Sequence, residues 1–144
     1  MISKEGLLYI VDDSMELRLA IADKLSLSEQ TSWITTEGFD HGDDLCSLLS
    51  RAMKLPDLIL MDTEMDTVDF FTGKVLKKHA AGYLVCKEII KEYGNSIPIV
   101  GMSMDPDYRE LWQSAGANQF ICKTILSSFL KDGLLTYLEP RYLE

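Results

Sequence analysis

Proline is scarce in this chain, four in 144 residues, and no Pro-, Gly- or Ser-rich stretch interrupts it. There is therefore no composition signal for a linker or a second domain, and neither an internal repeat nor a low-complexity tract breaks the reading. Long apolar runs are also missing. None approaches the roughly twenty residues that cross a bilayer, and the opening "MISKEG" lacks the order of a secretory signal. The three cysteines, Cys46, Cys86 and Cys122, are odd in number and have neither metal-type nor redox-type spacing. They are expected to be reduced core thiols of a cytoplasmic protein. Positive charge is in short supply too. Fourteen Lys and Arg face 23 Asp and Glu, a net charge of -9, which argues against nucleic acid or an anionic membrane as a partner. What remains is ordinary: 47% hydrophobic and 26% charged residues, enough for a single domain, residues 1–144, with its own core.

Short apolar runs alternate with helical periodicity. "LLYIV" (7–11) is a continuous run that suits a strand buried on both faces. A helix follows, with Asp13 and Glu16 as a capping box. Trp33–Thr36 reads as a second strand, and Leu45, Leu48, Leu49 and Ala52 as the stripe of a second helix that Pro56 ends. "DLILM" is a third strand. A third helix from about Ala80 presents Gly82, Cys86, Ile89, Ile90 and Tyr93, with its glycine stop in "YGN". "IPIVGMS" is a fourth strand. Asp105 and Pro106 then start a helix bearing Tyr108, Leu111, Trp112 and Ala115. "QFIC" is a fifth strand, and Leu126, Phe129, Leu130, Leu134 and Leu138 make the apolar side of a last helix. A βα unit repeated five times predicts an α/β fold, a doubly wound parallel sheet with helices on both faces. Ligands of such sheets sit at the carboxyl ends of the strands.

Those ends carry chemistry. Strand one ends at Asp12 and Asp13, strand three at Asp62, strand four at Ser103, and strand five just before Lys123. Three carboxylates brought together repel unless a cation neutralises them, and an all-oxygen set suits Mg²⁺. A metal beside a carboxylate, an ammonium and a hydroxyl is a place for a phosphoryl group. Asp62 is the expected nucleophile, forming an acyl phosphate, with Lys123 on the phosphoryl oxygens and Ser103 donating to one of them. Taken singly, each residue has a plainer reading as a turn acid, a helix cap or a solvated lysine. The coincidence at four of five strand ends is what points to a site.

With these pieces in place, the sequence resembles the receiver domain of bacterial two-component response regulators. The resemblance rests on "YIVDDS", "PDLILMD", "IPIVGMS" and "AGANQFICK", spanning Leu7 to Thr124. It implies a flavodoxin-like fold with strand order 2-1-3-4-5. It also implies phosphotransfer to Asp62 from a sensor histidine kinase or histidine phosphotransfer protein. Asp12, Asp13 and Asp62 would be Mg²⁺ ligands, with the backbone carbonyl of Glu64. Ser103 and Phe120 would be the switch pair, and Lys123 the phosphate-pairing lysine. On that reading the chain is a stand-alone, chemotaxis-type receiver, not a turnover enzyme. It catalyses its own phosphotransfer and a slow autodephosphorylation, and signals to a downstream effector through protein contact. The expected contact surface is Tyr108, Trp112, Phe120 and the last helix. The alternatives are a degenerate receiver that binds without phosphorylation and a Mg²⁺-dependent aspartyl-phosphate phosphatase of the haloacid-dehalogenase type. "DTE" lacks the Asp-x-Asp of the latter.

Three departures from the family pattern stand out. Asp66 replaces a proline, and residues 63–79 form an atypical insertion, so that Ser103 lies 41 positions after Asp62. The insertion reads as an extended helix start packing Phe70 and Phe71, or as a basic docking surface carrying Lys74, Lys77, Lys78 and His79. Neither His41 nor His79 is expected to relay phosphate or bind metal. Thr124 replaces the proline after Lys123, which predicts a trans peptide bond and a shifted lysine loop. Glu64 and Asp105 place acids beside the two positions that govern phosphoryl lifetime in the family.

Overall fold

The computed structural model describes residues 3–42, 45–68, 75–78, 81–138 and 141–143. Among these residues eight strands and five α-helices run in the order β1 (Ser3–Val11), α1 (Met15–Ser26), β2 (Ile34–Phe39), α2 (Leu45–Arg51), β3 (Leu58–Asp62), β4 (Met65–Val68), β5 (Val75–Lys78), α3 (Ala81–Tyr93), β6 (Ile99–Ser103), α4 (Arg109–Ser114), β7 (Gln119–Cys122), α5 (Leu126–Ser128) and β8 (Arg141–Leu143). Five strands pair in parallel in the order β2-β1-β3-β6-β7. This is the 2-1-3-4-5 arrangement of the five expected strands. No helix among the described residues is long and apolar enough to cross a membrane.

The continuous apolar runs are explained by burial on both faces. Leu8 and Ile10 of β1 join Leu58 and Leu60 of β3 in a layer closed by Ile21 and Leu25 of α1 and by Leu126, Phe129, Leu130, Leu134 and Leu138. Tyr9, Val11, Ile59 and Met61 point the other way, onto Leu45 and Leu49 of α2, Cys86 and Ile89 of α3, and Trp112 of α4. Two side chains imitate backbone where strands begin. Asp57 Oδ2 accepts from Leu7 N–H (2.9 Å), and Asn118 Oδ1 accepts from Ile99 N–H (3.0 Å). Because Ile99 is wholly buried, Asn118→Ala leaves that N–H unpaired and is expected to cost about 1–2 kcal/mol in urea unfolding. An unchanged midpoint would show that water takes the bond.

Several expectations are corrected. Ser14, not Asp13, caps α1, accepting from Leu17 N–H, because Asp12 Oδ1 already holds Ser14 N–H. The second strand runs later than Trp33–Thr36, ending at Phe39. The last helix is a mixed run: a 3-10 turn, three α residues, five π residues at Phe129–Gly133 and a second 3-10 turn. Only Cys86 is a fully buried thiol; Cys46 and Cys122 are half-buried, and all three are free. The insertion is not a helix start. β4 and β5 form an antiparallel hairpin with Met65 opposite Lys78 and Asp66 opposite Lys77. Met65 is buried and anchors the hairpin's first strand in the core. Phe70, Phe71, Lys74 and His79 lie outside the described residues. The short β8, unforeseen in the sequence, pairs antiparallel with Ser3–Glu5 of β1.

Candidate functional site

The carboxyl ends of β1, β3, β6 and β7 deliver Asp12 and Asp13, Asp62, Ser103 and Lys123 to one edge of the sheet. Asp13, Asp62, Glu64, Ser103, Met104, Asp105 and Lys123 line a cavity of about 220 Å³ there. Lys123 Nζ stands 3.0 Å from Asp12 Oδ2 and 3.0 Å from Asp62 Oδ1. The Lys123–Thr124 bond is trans, as expected, with no cis peptide among the described residues.

The electrostatics follow from burial. Desolvation and the neighbouring Asp12 carboxylate outweigh the attraction of Lys123, pushing the Asp62 carboxyl up to about 6. For Lys123, burial disfavours the ammonium, but the Asp62 and Asp12 carboxylates more than offset it and hold it above its ordinary value.

The oxygen atoms of Asp12, Asp13 and Asp62 lie within 4.8 Å of one another, a grouping that could hold a metal ion. Asp12 is completely buried. Its Oδ1 accepts from Ser14 N–H, and Oδ2 has the Lys123 ammonium 3.0 Å away as its partner. One ammonium against three clustered carboxylates leaves an excess of negative charge on an all-oxygen donor set, which fits a hard cation such as Mg²⁺.

Ser103 Oγ accepts from Asp105 N–H at 3.0 Å. Phe120 is buried, under the Arg109 guanidinium 5.2 Å from its ring centre. Trp112 is buried as well, so neither aromatic presents the surface expected of it. On that side of the molecule Tyr108 is half-buried, and the exposed part of α4 is carried by residues such as Leu111.

Sequence reasoning passed over three features. Tyr108 Oη donates to Glu64 Oε1 (3.1 Å), joining the two loops that flank the cavity. Thr63 is wholly buried and bonds to three elements. Gly101 makes room for Trp112, and Gly82 for the Asp62 carbonyl. A glycine inside a strand, as in "IVGMS", signals close approach of another group, and that signal was available in the sequence.

No protein-family model matches the chain, and no curated protein does. Solved structures do. Response regulator TrrA of Thermotoga maritima, in complex with Mg²⁺ and BeF, superposes with a TM-score of 0.70 at 20% identity, covering 92% of this chain and 99% of that one. Chemotaxis response regulator CheY4 of Vibrio cholerae gives 0.69 at 19% identity, covering 93% and 99%. The signal receiver domain of NarL from Mycobacterium tuberculosis gives 0.68 at 20%, covering 92% and 95%. The strand order, the helices on both faces and these superpositions agree: the chain has the fold of the response regulator receiver domains.

Proposed function

We propose that the whole chain is one receiver unit, with the β4–β5 hairpin as an insertion, and that it accepts a phosphoryl group on Asp62. The donor is a phosphohistidine of a cytoplasmic sensor kinase or phosphotransfer protein. The observation that carries this reading is Lys123 Nζ bridging Asp12 and Asp62 at 3.0 Å each, inside a three-carboxylate cluster at the sheet edge.

Asp62 Oδ1 is held by Lys123 and by Thr63 N–H at 2.9 Å. That leaves Oδ2 to form the bond to phosphorus as the donor's P–N bond breaks and the imidazole leaves. Asp12, Asp13 and Asp62, with the Glu64 carbonyl, would hold Mg²⁺, which supplies positive charge for the carboxylates and the transferring oxygens. Lys123 turns from its present carboxylate pair to the phosphoryl oxygens. Ser103, whose hydroxyl now accepts from Asp105 N–H, donates to a phosphoryl oxygen and draws the β6–α4 loop inward. That movement, with Phe120 beside it on β7, biases a two-state equilibrium read by a protein partner at α4 and the last helical run.

Incubation with acetyl phosphate and Mg²⁺, followed by intact mass, tests this directly. Wild type gains one phosphoryl group and Asp62→Asn gains none. No gain in wild type, or an equal gain in the variant, overturns the assignment.

A further inference from the structure

Thr63, the residue after the acceptor, is completely buried with every polar atom engaged. Its N–H donates to Asp62 Oδ1 (2.9 Å) and to Met102 O (3.0 Å). Its carbonyl accepts from Gly82 N–H at the start of α3 (2.9 Å). Its hydroxyl donates to Met102 O (2.8 Å) and accepts from Trp112 Nε1 of α4 (2.7 Å). One residue thus ties the end of β3 to β6, α3 and α4, and the group it presents to the acceptor carboxylate is its own N–H.

The indole's seat is cut for it. A Cβ on Gly101 would stand 2.2 Å from Trp112 Cδ2, and one on Gly82 would stand 1.9 Å from the Asp62 carbonyl oxygen and 3.0 Å from Trp112 Cζ2. A phenylalanine would fill much of this space but could not donate. The bond is made in a dry interior, where an unmatched polar atom is costly and a matched one orients its neighbours. Met102 O, which takes both Thr63 donors, belongs to the peptide that leads into Ser103. The same tie therefore fixes both the acceptor and the approach to the switch hydroxyl.

We propose that Trp112 is a positioning residue for phosphoryl acceptance. Through the Thr63 hydroxyl it holds the peptide that aims the Asp62 carboxylate, so that α4 and the acceptor move as one unit. This rests on the acceptor reading above and adds to it a residue that touches neither phosphoryl group nor metal.

The test measures the rate of phosphorylation by phosphoramidate at saturating Mg²⁺, by intact mass, alongside urea unfolding and Mg²⁺ affinity. Trp112→Phe, which removes one buried hydrogen bond, lowers the rate about tenfold, and Thr63→Val, which also removes the hydroxyl's bond to Met102 O, lowers it at least as much. Mg²⁺ affinity stays unchanged. Thr63→Ser, which keeps the hydroxyl, retains the wild-type rate. The double variant Thr63→Val with Trp112→Phe is no slower than Thr63→Val alone, because that substitution already removes the bond to the indole. Folded variants that phosphorylate at the wild-type rate, or single-variant losses that multiply in the double, overturn the proposal. A wild type that takes up no phosphoryl group defeats the acceptor reading instead, so the two failures are distinct.

Discussion

Asp62→Asn raises the thermal midpoint of the metal-free protein at pH 7.5, although it removes the residue on which the proposed function depends. Burial and the Asp12 carboxylate push the Asp62 carboxyl up to about 6 in the folded chain, from an ordinary 3.8, even with Lys123 drawing it down. An acid whose folded pKa lies above its unfolded one binds its proton more tightly when folded. Between pH 4 and 6 the native state carries more protons than the unfolded chain, so stability falls as pH rises through this window. Below it the group is neutral in both states and contributes nothing. Above it the full cost is present, on the order of 2–3 kcal/mol at 1.36 kcal/mol per unit. Asparagine keeps an acceptor oxygen for Thr63 N–H and never ionises. The stability difference between variant and wild type should be near zero at pH 4, open between 4 and 6, and level off above that. At pH 7.5 it should amount to about 5–10 °C in midpoint for a chain of this size. Thermal scans in chelator across this range measure it. Addition of Mg²⁺ narrows the gap, because only wild type has the third carboxylate for the ion to neutralise. A variant no more stable than wild type in chelator would mean that Lys123 neutralises the cluster unaided.

The same residues show how far the sequence could be read. Buried strands are legible as unbroken apolar runs because both faces of the sheet are covered. Their last residues then identify the site edge without any knowledge of side-chain contacts. Asp12, Asp62, Ser103 and Lys123 come together for that reason. The insertion was harder. "TVDFFTGKVLKKH" has neither a clean 3.6 nor a clean 2.0 period, so a hairpin and a helix start compete on equal terms in the sequence. Only pairing of Met65–Val68 with Val75–Lys78 separates them. Ser14 and Asp13 are both good caps; the choice falls to Ser14 because Asp12 reaches Ser14 N–H first. The family pattern places Trp112 and Phe120 at a surface, and both are buried. Burial depends on what lies across from a side chain, and for Trp112 that is the missing Cβ of Gly101 on a distant strand, invisible to local periodicity.

Gly101→Ala is expected to be destabilising in wild type and stabilising once Trp112 is gone. In wild type the new methyl meets Trp112 Cδ2, Cε2 and Cε3 at 2.2, 2.4 and 2.6 Å, atoms in the middle of a rigid ring. The ring cannot retreat, being fully buried and held through Nε1 by Thr63. The backbone cannot retreat either, because Gly101 lies in β6 between Met61 of β3 and Phe120 of β7. Overpacking of this kind costs about 3 kcal/mol or more, a large part of a marginal fold's stability. Trp112→Ala alone costs about 3–5 kcal/mol through lost burial and the cavity left behind. In that background the Gly101 methyl enters empty space, and alanine is preferred to glycine in a strand by roughly 0.5–1 kcal/mol. The cost of Gly101→Ala therefore reverses sign, and the double variant is more stable than Trp112→Ala. Urea unfolding of the four proteins measures the cycle, with Trp112→Leu in place of alanine if the larger cavity prevents folding. Equal costs in both backgrounds would place the strain elsewhere than at the ring. A reversal fixes the indole over Gly101, the packing that lets α4 reach the residue beside the acceptor.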